Sequence, residues 1–133
     1  MKSRNFRDLQ VWQRSMSLAC SVYALSGSFP AEERFGLTDQ TRRAAVSIPS
    51  NIAEGHGRLS DKSFALFLSQ ARGSLNELAT QLELAQRLGF AAGDKILPIQ
   101  QQIGELARML NALLTAIRRP ASAVLPSRTA DVE

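Results

Sequence analysis

The feature that most constrains the fold of this chain is a long apolar repeat near its middle. Between residues 60 and 90, apolar or small side chains recur at alternating spacings of four and three residues. These positions are Phe64, Leu68, Ala71, Leu75, Leu78, Leu82, Ala85 and Gly89. Such a repeat keeps one face of an α-helix against its neighbours along its whole length, as in helical bundles. It predicts a long helix that starts after Ser60, a good N-cap residue, and ends at Gly89.

A helix with the same repeat is predicted near the end of the chain, from about Lys95 to Arg119. Its apolar positions are Ile96, Ile99, Ile103, Leu106, Leu110, Leu113 and Ile117. Pro98 then falls in the first turn of this helix, where a missing backbone donor costs little. Two long helices with matching repeats favour side-by-side packing.

The N-terminal part of the chain predicts a helix from Asp8, as N-cap, to Ser26. This helix carries two adjacent apolar seams, and a face of that width predicts burial on more than one side. The first seam is Leu9, Trp12, Met16, Ala19 and Tyr23, and the second is Val11, Ser15, Leu18, Val22 and Leu25. The single cysteine, Cys20, excludes an intrachain disulfide and a cysteine-rich metal site, and is predicted to be a buried thiol.

A further helix is predicted within residues 36–58, although its interior contains Pro49. A proline inside a helix lacks a backbone donor, crowds the carbonyl four residues earlier and disfavours helical angles at the preceding residue. The sequence therefore predicts a kink or break between Ala45 and Ile48. In a chain otherwise rich in helix formers, this suggests a bend that serves packing, assembly or binding.

Polar residues and glycines follow the proline. Ser50 and Asn51 are predicted to accept hydrogen bonds from freed backbone donors and so restart the helix as caps. Gly55 and Gly57 are predicted to provide a left-handed end to the helix.

Four amphipathic segments with short connections, and no alternating strand pattern, predict an all-α protein: an antiparallel up-down-up-down four-helix bundle with a proline-kinked second helix. The bundle is expected to occupy residues 1–119, and residues 120–133 to form a mobile tail without periodicity. The chain has no apolar run of the ~20 residues that span a bilayer, so we expect a cytoplasmic protein without a membrane partner.

Four motifs follow one another along the chain: FRDLQVWQRSMSLACSVYALSGSFP, FGLTDQTRRAAVSIPSNIAEGHGR, SFALFLSQARGSLNELATQLELAQRLGF and ARMLNALL. Their order resembles a bacterial four-helix-bundle family whose members are encoded within intervening sequences of 23S rRNA genes and are related to the accessory variability protein of diversity-generating retroelements. The resemblance covers roughly residues 5–118. It implies a ring-shaped homo-oligomer, a pentamer, with RNA, DNA or a nucleic-acid enzyme such as reverse transcriptase as partners.

The net charge of +4 is concentrated near the N-terminus, where residues 1–30 contain four basic residues and one acidic residue. For one domain this is a weak indication of nucleic-acid binding, but repetition in a ring would add avidity for a polyanion. Candidate nucleic-acid ligands are Lys2, Arg4, Arg7, Arg14, Arg42, Arg43 and Arg58. Asp39 lies three residues before Arg42 and four before Arg43, so an intrahelical ion pair is the more ordinary interpretation of these two arginines.

Other side chains favour contact between subunits. Trp12 and Tyr23 could stack on bases, but their helical spacing among aliphatic residues favours a core or subunit contact. The candidate interface residues are Trp12, Pro49, Asn51, Glu54 and Phe67, and Leu84 and Leu88 could also face a neighbouring subunit. Gly73, in the middle of a helix, predicts a close contact with another helix.

No catalytic, metal-binding or cofactor-binding set of residues is predicted. The only histidine, His56, lies between two glycines and is expected on the surface. The chain lacks the Glu-x-x-His pairs of di-iron bundles and lacks a phosphate-binding P-loop. Three hypotheses stay open: a homo-oligomeric RNA- or DNA-binding accessory protein, a protein-interaction scaffold without a nucleic-acid role and, least favoured, an enzyme that uses Glu54 and His56.

Overall fold

The structure, a computed structural model, describes residues 5–119. These residues form four α-helices: α1 (Gln10–Ser26), α2 (Leu37–His56), α3 (Asp61–Arg87) and α4 (Gly93–Arg118). Short 3-10 turns, Phe6–Asp8 and Ala31–Glu33, precede α1 and α2, and no strand occurs within this range. The predictions for Lys2, Arg4 and the tail from residue 120 to residue 133 lie outside the described residues.

The helices form a four-helix bundle, as predicted. Helix α1 packs against α2 and α4, and α3 packs against the same two helices. Arg118 donates to Ser69 over 2.8 Å and Arg72 donates to Asn111 over 3.0 Å, so α3 and α4 run in opposite directions. The complete up-down-up-down order and the bend angle at Pro49 remain predictions.

The buried core of the bundle follows the apolar repeat of α3. All the repeat positions from Phe64 to Ala85 are buried, and Gly89 lies exposed just beyond the helix. The repeat of α4 is buried up to Leu110, after which Leu114 is buried and Leu113 and Ile117 are only half-buried. Near the C-terminal end of α4, Leu114 therefore faces the core in place of the predicted Leu113.

The predicted ends of α3 are confirmed. The Ser60 hydroxyl accepts a hydrogen bond from the Ser63 amide over 3.1 Å. At the other end Gly89 has a φ of 77°, and the amides of Gly89 and Phe90 donate to the carbonyls of Gln86 and Ala85. This is the Schellman arrangement, in which a left-handed glycine satisfies the last carbonyls of a helix.

The predicted starts of α1 and α4 are wrong by a few residues. The Asn5 side chain caps the preceding 3-10 turn, so Asp8 lies inside that turn and Leu9 occupies the N-cap position of α1. Helix α4 begins at Gly93, two residues earlier than expected, which moves Pro98 from the first turn into the second. Pro98 is exposed, so water can reach the backbone carbonyl that its missing N–H would have met.

Helix α2 is continuous through Pro49, so the predicted restart by capping is wrong. Asn51 lies within the helix, and its side-chain amide donates to the Ser47 carbonyl over 2.8 Å. The left-handed end is also wrong, because Gly57 has a φ of −77° and Gly55 is still helical.

Gly55 has a packing role instead. A Cβ at this position would lie 2.6 Å from the Cβ of Phe67, closer than real side chains approach. The absence of a side chain therefore lets α2 and α3 come together. Gly73 is different: a Cβ there would meet nothing within 4 Å, so the close contact predicted for it does not occur among the described residues. Within the described part of the chain, no helix is long and apolar enough to cross a membrane.

Candidate interaction groove

An open apolar groove of about 510 Å³ runs between α1 and α2 on the surface of the bundle. We call it the α1–α2 groove. Its principal apolar side chains are Phe6, Trp12, Met16, Tyr23, Val46 and Pro49, and Ala19, Cys20, Ser50 and Ala53 complete the lining. Met16, Tyr23 and Val46 are each more than 40% exposed, which is unusual for a cluster of large apolar side chains.

The groove exists because α1 carries two apolar seams and the core fully buries residues of only one, while it covers the other in part. Val11, Leu18 and Val22, from the second seam, are at most 5% exposed. The first seam, from Trp12 to Tyr23, is half-buried or exposed. The prediction that both seams are buried is therefore wrong for the protomer. On the α2 side the small residues Ser50 and Ala53 leave space rather than fill it.

Cys20 lies beside this exposed seam. The prediction of a buried thiol is wrong: Cys20 is exposed and lines the groove. Its position explains this, because it lies four residues after Met16 and three before Tyr23, on the same side of α1.

Arg42 and Arg43 lie at one end of the groove but make different contacts. Arg42 donates from Nε to the Ser26 hydroxyl over 2.8 Å and from Nη2 to the Tyr23 carbonyl over 3.2 Å, with its guanidinium 4.5 Å from the centre of the Tyr23 ring. It therefore holds the end of α1 against α2, and the ion pair considered for it is not formed. Arg43 does pair with Asp39, at 2.8 Å, as its spacing predicts.

The other end of the groove lies near the start of α1. The Phe6 and Trp12 rings meet edge to face with their centroids 5.3 Å apart. The Arg7 guanidinium stands 4.6 Å from the centre of the Phe6 ring. Cationic side chains thus stand at both ends of an apolar surface.

The remaining candidate nucleic-acid ligands do not join these groups. Arg14 forms an ion pair with Glu105 that links α1 to α4. Arg58 pairs with Glu54 at 2.6 Å and lies 4.8 Å from the centre of the Phe67 ring. Three of the five described candidates, Arg14, Arg43 and Arg58, therefore share their charge with a carboxylate of the same chain.

The candidate interface residues divide between two places. Trp12 and Pro49 line the groove. Glu54 and Phe67 both contact Arg58, and Asn51 bonds to its own helix, so these three are not part of the groove. Tyr23, which the sequence favours as a core or subunit contact, also lines the groove, whereas Met16, Cys20 and Val46 are not predicted as interface residues; the exposed seam of α1 is the signal that could identify Met16.

His56 is a packing residue rather than a surface residue, contrary to the prediction. It is 8% exposed, and its ring stands perpendicular to that of Phe64 at a centroid distance of 6.0 Å. Glu54, its partner in the enzyme hypothesis, is engaged with Arg58. Within residues 5–119 no cluster of histidine, cysteine and carboxylate side chains could hold a metal ion.

Comparisons with known proteins agree with this fold. The family described as 23S rRNA-intervening sequence protein matches residues 7–112. A crystal structure of a protein of unknown function from the S23 ribosomal protein family of Bacteroides thetaiotaomicron superimposes with a TM-score of 0.71 and 23% identity. The superposition covers 78% of this chain and 97% of that one. No curated protein gives a significant match. Since the family match spans most of the four helices, this chain belongs to the 23S rRNA-intervening sequence protein family.

Proposed function

We propose that this protein is a non-enzymatic scaffold that assembles with copies of itself into a homo-oligomeric ring through the α1–α2 groove. The groove itself is the observation that carries this proposal. Trp12, Met16 and Tyr23 are residue types enriched in the centres of protein interfaces. Clustered on one exposed surface, they favour a protein partner over solvent.

The size and surroundings of the groove fit the central part of an interface. Along α1 it extends from Trp12 to Tyr23, about 16 Å at 1.5 Å per residue. A stable interface buries about 800 Å² on each partner, with an apolar centre inside a polar rim. The groove supplies such a centre, and Arg7 and the Arg43–Asp39 pair supply polar groups at its two ends.

The ring and its five subunits come from the resemblance to the retroelement accessory protein and are part of the proposal. A ring requires each copy to offer two different surfaces, since a single self-complementary surface stops at a dimer. The α1–α2 groove is one such surface.

Light scattering after size-exclusion chromatography tests this proposal. We expect a mass near five times 14.5 kDa for the natural chain. Met16→Lys places a charge in the groove and should shift the protein to smaller species. Thr115→Lys, which adds the same charge at an exposed position of α4, is the matched control and should leave the mass unchanged. A monomer at all accessible concentrations would contradict self-assembly.

A second candidate function is nucleic-acid binding as an accessory factor, for example to a reverse transcriptase. It is favoured by the net charge of +4 and by Arg7, Arg42 and Arg43 at the ends of the groove. A ring would repeat these groups around its circumference and add avidity. The intramolecular pairing of Arg14, Arg43 and Arg58 reduces the charge available to phosphate, so we place this function second.

Fluorescence anisotropy with labelled single-stranded RNA and DNA at several salt concentrations tests the second function. Binding through phosphate should weaken steeply as salt rises, and Arg7→Gln with Arg43→Gln should reduce the slope by about one for each lost contact. Lys95→Gln, at an exposed position at the start of α4, serves as the control. Absence of binding at low salt would contradict this function and leave the scaffold proposal intact.

A further inference from the structure

The outer face of α3 is a second exposed apolar surface. Leu66, Leu84 and Leu88 are 57%, 46% and 54% exposed. Their spacings of 18 and four residues place them on one side of the helix. We call the face that they share with Gly73, Glu77 and Thr80 the α3 ridge. Of the other large apolar side chains exposed within residues 5–119, three lie in the groove and the rest are single residues: Phe35, Leu59 and Leu97.

Gly73 lies in the middle of this ridge. Gly55 is needed for the contact between α2 and α3, but a Cβ at Gly73 would meet nothing within 4 Å. Glycine lowers helix propensity, and nothing in the protomer accounts for it here. On the ridge it leaves open space beside the helix backbone between Leu66 and Leu84.

Glu77 gives the ridge a charge opposite to that at the ends of the groove. It is exposed and forms no ion pair with any other residue of the described range, whereas Glu54, Glu83 and Glu105 each pair with an arginine. Arg7 and Arg43 stand at the two ends of the groove. Because the Arg43 side chain is 79% exposed, it can reach a carboxylate on another molecule.

We propose that the α3 ridge of one copy of this chain occupies the α1–α2 groove of the next copy. This inference rests on the self-assembly proposed above and names the surface that completes it. With Glu77 beside Arg43, the twelve residues from Glu77 to Leu88 match the twelve from Tyr23 back to Trp12. Each stretch spans about 16 Å.

The shapes of the two surfaces favour this pairing over groove against groove. A convex helix face fills a concave groove, whereas two facing grooves enclose a void and leave Leu84 and Leu88 in water. The groove and the ridge are different surfaces of one protomer, so the contact is heterologous. Repeated head to tail, it continues until a ring closes.

The single cysteine makes this arrangement testable by cross-linking. Cys20 lies exposed in the groove, and the proposed register places residue 80 of the next copy opposite it. We would introduce Thr80→Cys or Leu84→Cys on the ridge and treat the assembled protein with a short bismaleimide, which joins two nearby thiols. Thr115→Cys on α4 is the matched control for Thr80→Cys, because both positions are exposed threonines.

At least one ridge variant should give a covalent ladder from dimer to closed ring. The natural chain and Thr115→Cys should stay uncross-linked, and adding Cys20→Ser should abolish the ladder because each link needs one groove thiol and one ridge thiol.

Dimers of the natural chain through Cys20 would show groove against groove and overturn the inference. An oligomer by light scattering without a ladder from either ridge variant would overturn the ridge as partner but keep self-assembly. A monomer would overturn both.

Discussion

The two seams of α1 are alike in their helical spacing but differ in their surroundings. Leu18 and Val22, on the inner seam, are at most 1% exposed, whereas Met16 and Tyr23, on the outer seam, are 41% and 45% exposed. The inner seam faces the repeat positions of α3 and α4 within one continuous core. The outer seam borders α2, Phe6 and solvent, and only its half-buried members, Leu9, Trp12 and Ala19, pack against that core. The chain therefore carries more apolar surface than one bundle can bury, and the outer seam of α1 is one of the two places where the excess lies.

Local sequence does not distinguish these seams, because both follow the spacing of an amphipathic helix. The difference is decided by what packs against each seam. If the outer seam serves assembly, replacements on the inner seam should destabilise the fold, and those on the outer seam should affect the association of subunits.

The largest effect is expected for Leu18→Ala. Truncating a fully buried leucine typically costs about 2–5 kcal/mol of unfolding free energy, through lost burial and the cavity left behind. Urea unfolding followed by circular dichroism should show this loss at every protein concentration. Met16→Ala is the paired replacement on the outer seam. It should change the stability chiefly at high concentration, where binding between copies adds to the stability of the folded state.

A concentration-independent loss of several kcal/mol of unfolding free energy on Met16→Ala would contradict the distinction between the two seams. It would mean that the outer seam contributes to the fold of the single bundle. An unchanged stability for Leu18→Ala would contradict the position of the core itself.

The second effect compares two helical glycines. Gly55→Ala should destabilise the protein by about 1–3 kcal/mol, because the new methyl group would lie 2.6 Å from the Cβ of Phe67 and force α2 from α3. Gly73→Ala meets nothing within 4 Å and should gain up to about 1 kcal/mol through higher helix propensity. Unfolding is best compared in the Met16→Lys background, which removes assembly through the groove. Equal effects at the two sites would contradict the close approach of α2 and α3.

These glycines also show which structural features the sequence can predict. The repeats of α3 and α4 could be located from spacing alone, because the period of a helix is a local property. The cap at Ser60 and the turn at Gly89 are local for the same reason. The role of Gly55 depends on its distance to Phe67 in another helix, and no local pattern contains that distance.

The errors at Cys20 and His56 have the same origin. Cys20 lies beside an apolar seam, which predicts burial, but within the described residues this side of α1 is open to solvent. His56 lies between glycines and was expected on the surface, but Phe64 packs against it. For the candidate site, Trp12 and Pro49 could be predicted from the sequence, whereas the contributions of Val46, Ser50 and Ala53 required the packed bundle.

The third effect concerns the accessibility of the Cys20 thiol. In a dissociated protomer Cys20 is exposed and should react with a maleimide as readily as an unhindered thiol. Assembly through the groove should cover it and slow labelling at least tenfold, a difference of about 1.4 kcal/mol or more in the free energy of exposing it. The labelling rate should therefore fall as protein concentration rises. Met16→Lys should react rapidly at every concentration, and a slow, concentration-independent rate in that variant would contradict an open groove.

The smallest effect compares Arg42, which faces inward, with Arg43, which faces solvent. Arg42 makes two hydrogen bonds to α1 and stacks on Tyr23, so Arg42→Met should cost about 1–2 kcal/mol while keeping most of the apolar stem. Arg42→Lys should recover only part of the lost unfolding free energy, because the lysine ammonium cannot reproduce the planar guanidinium with its several N–H donors. Arg43→Met removes an exposed ion pair with Asp39 and should cost less than about 0.5 kcal/mol.

Thermal and urea unfolding of these three variants in the Met16→Lys background measure the difference without a contribution from assembly. If Arg43→Met were as destabilising as Arg42→Met, the separation of inward and outward roles at this end of the groove would be wrong. If the two differ as expected, Arg43 is dispensable to the fold. Any loss of assembly or of RNA binding on its replacement can then be assigned to a contact with another molecule, because the bundle that presents it remains intact.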